Sequence, residues 1–166
     1  MKRIVVSIVS LLLLFSVSGA AQQLDSAKRE ALEAKLAEYF EALKYESLDV
    51  QKEEADFLIE STSDSLVRQF VACTVYDHFI DSPVMGSEAV AVHVYDRWFA
   101  PGKVKMKNDM DLFNARIFAD FNRQSLIGEK APELVMESLD GSHVELFTGK
   151  DKSGRYRVLF FYDADC

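Results

Sequence analysis

The feature that most constrains this chain is a change of hydrophobic period near residues 125–128. Before it, apolar side chains recur every three or four residues, the spacing that gathers them on one face of an α-helix. After it, they come in short runs separated by glycine and proline, the pattern of strands and turns. A chain that carries the two periods in separate blocks reads as an α+β protein in two parts. In the first block, Leu32, Leu36, Phe40 and Leu43 share one face of a helix expected from Asp25 to Tyr45, with Lys, Arg and Glu opposite. A second helix is expected over Asp49–Glu60, with Ala55, Leu58 and Ile59 inward. Ser61–Ser65 is a polar break rich in N-cap candidates. The third helix follows, with Leu66, Val67, Phe70, Val71, Val75 and Phe79 on its buried side, until Asp81-Ser82-Pro83 stops it. Ser87 is the expected N-cap of a fourth helix, whose stripe is Val90, Val94 and Trp98 and whose end is Pro101-Gly102. The fifth helix is expected from Asp109 to Arg123, with Leu112, Phe113, Ile117 and Phe121 inward. Five helices with short connections are expected to make a small all-α bundle or helical array.

Gly128, Pro132, Gly141, Gly149 and Gly154 are five of the chain's ten glycines and prolines, and all lie in the second block. Leu134–Met136 and His143–Phe147 read as strands around Asp140-Gly141, a two-residue hairpin signal. Thr148–Arg155 is a polar connection, and Arg157–Tyr162 is an almost unbroken apolar run, as expected of a central strand covered on both faces. The expected division is therefore a helical domain over residues 22–125 and a second domain over residues 126–166.

Residues 1–21 read as a signal peptide. Lys2 and Arg3 form a positive start, Ile4–Val17 is apolar apart from three serines, and Ser18-Gly19-Ala20-Ala21 supplies small residues for cleavage. The apolar run is short of the roughly 20 residues a membrane span needs. No cysteine follows it, so a lipid-anchored lipoprotein is disfavoured, and the expectation is an exported, soluble, periplasmic protein. Cleavage would remove two cations and move the formal net charge from −8 to −10. Such an acidic chain is poorly suited to nucleic acid or anionic lipid, which require clustered Lys and Arg. The one basic cluster, Lys103–Lys107, reads as a solvated loop.

Three pieces of the second block then follow in order: Ile127-Gly128-Glu129-Lys130-Ala131-Pro132, the hairpin Leu139–Leu146, and Val158–Cys166. Together they resemble the opening of periplasmic thioredoxin-fold proteins of the TlpA/ResA type, with their G-x-x-A-P turn, D-G hairpin and buried strand ending in a cysteine motif. The resemblance covers residues 127–166, about the first third of such a domain. It implies an incomplete thioredoxin-like α/β domain and thiol–disulfide exchange, with protein or small-molecule disulfides and thiols as partners and no cofactor. Cys166 matches the first cysteine of Cys-x-x-Cys, the nucleophile, with Tyr162, Asp163 and Asp165 in the loop that supports it. The resolving cysteine would come three residues later, beyond Cys166, so the chain is expected to be a fragment inactive by itself. Thioredoxins commonly place Trp before the nucleophile, whereas Asp165 stands here, and nearby carboxylates oppose thiolate formation. Peroxiredoxins share the G-x-x-A-P turn but carry a P-x-x-x-T-x-x-C loop, and Asp163 occupies the threonine position. The pieces Glu54–Ile59, Val67–Val71, Tyr76–Phe79 and Met85–Glu88 resemble the all-α domains that precede TlpA-like domains in some exported proteins. The competing expectation is a non-catalytic periplasmic protein that binds a partner through its helical domain.

The remaining chemistry-bearing residues give weaker patterns. His78, His93 and His143 fall in three elements, and Asp77 and Asp81 flanking His78 read better as surface or helix-end ion pairing than as a metal site, because no ligand from another element is specified. Cys73 reads as a small buried hydrophobe. Glu53, Glu54 and Asp56 read as solvated helix surface, and Tyr95, Trp98 and Phe99 as core or domain-contact packing.

Overall fold

The structure is a computed structural model that describes residues 26–131, 133–146 and 158–163. The segment read as a signal peptide, the connection from Phe147 to Arg157, Asp165 and Cys166 all lie outside these residues. The chain forms two compact units that meet in sequence between Glu129 and Lys130. Within the first unit lie α1 (Ser26–Leu43), α2 (Leu48–Glu60), α3 (Ser65–Ile80), α4 (Glu88–Val94) and α5 (Asp109–Asn122). The second holds β1 (Leu134–Glu137) and β2 (His143–Leu146). Among the described residues, no helix is long and apolar enough to cross a membrane.

The helices begin where side chains satisfy their first free N–H groups. Asp64 accepts from the amides of Leu66 and Val67 at 2.9 and 3.0 Å, so the polar break before α3 is a true N-cap. Asn108 opens α5, accepting from the Asp111 amide at 2.9 Å while its own Nδ2 donates to the Asp111 carboxylate at 3.0 Å. Ser87 departs from expectation. It has helical dihedrals and caps nothing; its buried hydroxyl instead bonds the Ser82 hydroxyl at 3.0 Å. A neighbouring device replaces the cap, since the Glu88 carboxylate accepts from the Gly86 amide at 2.9 Å. Gly86 has φ +94°, a backbone conformation that favours glycine, and Ile127 Cδ1 packs close against the position a Cβ would take.

α4 is the centre of this unit. Its sequence, Glu-Ala-Val-Ala-Val-His-Val, has only Glu88 and His93 as polar residues, both half-buried, and Ala89, Val90, Ala91, Val92 and Val94 are all buried. A helix with so little polar surface belongs inside, and α4 packs against α2, α3 and α5. It runs on into one π-helical turn, Tyr95–Phe99, closed by the Ala100 amide donating to the Tyr95 carbonyl at 2.8 Å. The following loop alternates: Val104 and Met106 are buried while Lys103, Lys105 and Lys107 are exposed. The basic cluster is thus a solvated lysine edge whose other side plugs the core.

The largest correction concerns α5. Phe113, Ile117 and Phe121, expected inward, are 56%, 40% and 80% exposed, and the buried residues are Ala115 and Ala119. Apolar side chains cover most of this helix's circumference, so the period alone could not choose a face. The two alanines choose it, because their small size lets α5 approach α4 and the π turn closely. Leu66 of α3 is likewise exposed rather than buried.

In the second unit β1 and β2 pair antiparallel, with Leu134 opposite Leu146 and Glu137 opposite His143. The loop is longer than the expected two residues. Ser138 and Ser142 close it, Leu139-Asp140-Gly141 form it, and Gly141 at φ +81° takes the left-handed position that such three-residue loops need. Asp140 accepts from the Ser138 hydroxyl and from the Ser142 amide, which holds its carboxyl down at about 2. Residues 158–163 do not form the expected central strand. They carry no regular secondary structure, and Phe160, Phe161 and Tyr162 are largely exposed. A doubly covered strand needs a layer on each face, and the described part of this unit supplies only a two-stranded ribbon.

The face assignment of α5 can be checked by urea denaturation. Ala119→Leu should destabilise the protein by about 1–3 kcal/mol through overpacking. Phe121→Ser should change stability by less than about 0.5 kcal/mol.

Candidate functional site

Burying α4 brings its one imidazole, His93, against α2, where a partner is required. Asp56 supplies it. His93 Nε2 donates to Asp56 Oδ2 at 3.0 Å, Arg97 Nε approaches the same oxygen at 3.0 Å, and Trp98 Nε1 donates to Oδ1 at 2.7 Å. The Asp56 side chain is only 17% exposed and that of His93 28%. Arg97 also reaches Glu60 at 3.1 Å and lies over the Trp98 ring, which Lys103 approaches too. The π turn makes this arrangement: it places Arg97 and Trp98 together beside α2 while Tyr95 and Phe99 stay in the core.

Asp56 is the functional-looking residue that sequence reasoning missed. It was expected on a solvated face, yet it follows inward Ala55 and precedes inward Ile59 by three residues, at the margin of the buried stripe. Glu54 departs similarly, accepting a hydrogen bond from the Tyr39 hydroxyl; burial first, and this bond second, push the phenol far above its ordinary pKa. Chemically the hub holds a carboxylate against an imidazole and a guanidinium. The acceptor role of Asp56 puts the Nε2 proton on His93, so a neutral ring presents Nδ1 as its basic nitrogen. Among the described residues no hydroxyl or thiol bonds to His93, so the hub has the acid–base half of a hydrolytic site without a nucleophile. Its evident work is to tie α2 to α4 and the π turn.

Cys73 is a buried free thiol whose sulfur lies 3.8 Å from Met106 Sδ; burial raises its pKa to about 11, against the opposing Lys107 charge. That agrees with its reading as a buried hydrophobe. His78 stacks on Phe40 with ring centres 4.0 Å apart, and burial lowers its pKa. Asp77 turns away to pair with Lys107. A shallow cavity of about 190 Å³ opens beside His78, lined also by Phe40, Gln51 and Ser87. His143 lies exposed on β2. Tyr162 and Asp163 sit in the exposed segment 158–163, where Tyr162 stacks on Phe160. Asp165 and Cys166 lie outside the described residues, so the geometry of the thiol loop is not part of the site described.

Comparison with protein-family models, with curated proteins and with solved structures gives no match in any of the three.

Two outcomes follow from the hub and its surroundings. Asp56→Ala should cost about 1–3 kcal/mol, because it leaves the buried Trp98 indole N–H without its acceptor and the His93 imidazole without its carboxylate; chemical denaturation with Trp98 fluorescence as the probe measures it. Cys73 and Tyr76 have pKa values raised from 9.0 to about 11 and from 10.0 to about 12. Groups raised on folding give stability that is complete below the ordinary value and lost as pH rises through the folded one. Thermal stability should therefore fall between about pH 9 and pH 12, and Cys73→Ala should flatten the first part of that fall.

Proposed function

We propose that this chain belongs to an exported, periplasmic thiol–disulfide oxidoreductase of the thioredoxin-like type, with Cys166 as the attacking thiol. The observation that supports this reading is the order of its pieces. The sequence Gly128-Glu129-Lys130-Ala131-Pro132 precedes the β1–β2 hairpin with its Leu139-Asp140-Gly141 loop, and an apolar stretch of sequence then leads to Cys166. The Cys166 thiolate attacks one sulfur of a substrate disulfide, a new S–S bond forms, and the other substrate sulfur leaves as a thiolate. Release of the mixed disulfide needs a second thiol, which attacks Cys166 sulfur or its partner. Cys73 is ill suited to that task, being buried with a pKa near 11 and so carrying almost no thiolate at neutral pH.

The test uses oxidised glutathione on the reduced full chain at pH 7.5, read by mass spectrometry. One glutathione should add per chain, on Cys166, with free glutathione thiol released in equal amount. Cys166→Ser should abolish the addition and Cys73→Ser should leave it intact. Addition at Cys73 before Cys166, or none at either, sinks the reading.

A second reading, a non-catalytic protein acting through its helical unit, is favoured by one feature. Met110, Phe113, Ile117 and Phe121 form an exposed apolar stripe along α5.

A further inference from the structure

The cavity beside His78 is walled by four parts of the helical unit: the end of α1, the first turn of α2, the end of α3 and the loop before α4. Rings make up much of its wall. Phe40, Phe79 and His78 line it, with Val84 from the loop. These rings already pack on one another, His78 flat against Phe40 and Phe79 edge-on to both. Burial holds His78 below its ordinary pKa, so near neutral pH the imidazole is uncharged. The charged groups of the wall, Glu41 and Lys44, lie 3.7 Å apart and offset each other. The cavity therefore has no net charge with which to hold an ion.

Gln51 gives an independent pointer. It lines the cavity and is only 4% exposed. Its Nε2 donates to the Leu43 and Glu46 carbonyls at 3.2 and 2.9 Å, which uses both amide protons and fixes the side chain's orientation. Oε1 is left as an acceptor that no donor among the described residues meets. The Tyr76 hydroxyl is, among those residues, the side-chain polar atom that is both sealed from solvent and unpartnered, so Oε1 is not sealed. In a side chain this buried, the cavity it lines is the space that reaches it. Ser87, also 4% exposed, accepts from the Ser82 hydroxyl, which leaves its own proton free. Buried polar groups are almost always partnered, and these two call for a guest that carries a hydroxyl.

We infer that this cavity binds a small neutral phenol, its ring against Phe40, Phe79 and Val84 and its hydroxyl donating to Gln51 Oε1. The volume of about 190 Å³ suits that guest, since an apolar cavity of about 150 Å³ holds benzene. Ring walls favour an aromatic guest over an aliphatic alcohol, through edge-to-face and offset contacts. This binding is independent of the chemistry proposed for Cys166.

The full chain is titrated with 4-fluorophenol, read by fluorine and amide chemical shifts, with fluorobenzene as the control that lacks the donor. 4-Fluorophenol should saturate one site, with amide shifts confined to residues around the cavity. Fluorobenzene should bind about fivefold more weakly. Gln51→Met keeps the side chain's length and removes Oε1, but it also leaves two carbonyls without their donor and should melt lower. Its decisive readout is therefore the ratio. Fluorobenzene should still bind, and the preference for 4-fluorophenol should disappear. Val84→Trp fills the mouth of the cavity from an exposed position, so it should weaken both ligands about tenfold or more while melting close to the parent. Cys166→Ser should bind as the parent does. Failure of 4-fluorophenol to saturate a site overturns the inference, as does equal affinity for fluorobenzene. So does a preference that survives in folded Gln51→Met, or a Val84→Trp chain that binds both ligands as before.

Discussion

The helical unit depends on burying the apolar residues of α4. Seven residues cannot form a stable isolated helix, so α4 exists only because α2, α3 and α5 enclose it. That enclosure sets the rest. It forces α5 to approach through Ala115 and Ala119, it leaves the bulky α5 side chains outside, and it brings His93 against α2. Asp56 meets that need and collects Arg97 and Trp98 from the π turn as well. One carboxylate therefore answers three donors that the central helix and its extension would otherwise strand.

The sequence made the helices legible and misjudged which of their sides mattered. The break at Ser61–Ser65 resolved into the Asp64 cap, and the stripes of α1 and α2 lie where their spacing put them, because each has one apolar face and one charged face. α5 carries apolar residues nearly all round, so its inward side is set by how closely two backbones can come, a property of the pair and not of either segment. Ser87 looked like a cap by residue type, but its backbone is already helical and its hydroxyl is taken by Ser82. Asp56 was hidden for a related reason. A carboxylate at the margin of a stripe reads as solvated until the opposing helix is known to carry donors.

The second block shows the same division between local and non-local rules. The hairpin formed where Asp140-Gly141 announced it, because a turn is decided by a few adjacent residues. Residues 158–163 were read as a covered strand from their apolar run, yet covering is something other elements must do, and the described residues of that unit hold only β1 and β2. The two cysteines differ in the same manner. Cys73 is defined by its burial against Met106, whereas the role proposed for Cys166 rests on the sequence pieces that precede it in order.

The π turn after α4 carries a further meaning. A π turn is an α-helix with one residue inserted, and each residue of an α-helix advances about 100° around the axis. Removing one residue between Tyr95 and Phe99 would restore a regular helix and improve its local hydrogen bonding. It would also swing everything beyond by that angle, carrying Trp98 away from Asp56 and pulling the Val104–Met106 plug out of phase with the core. The extra residue thus works as a phase shifter: the chain keeps a locally poorer helix so that two successive stretches can present different sides to the same neighbour.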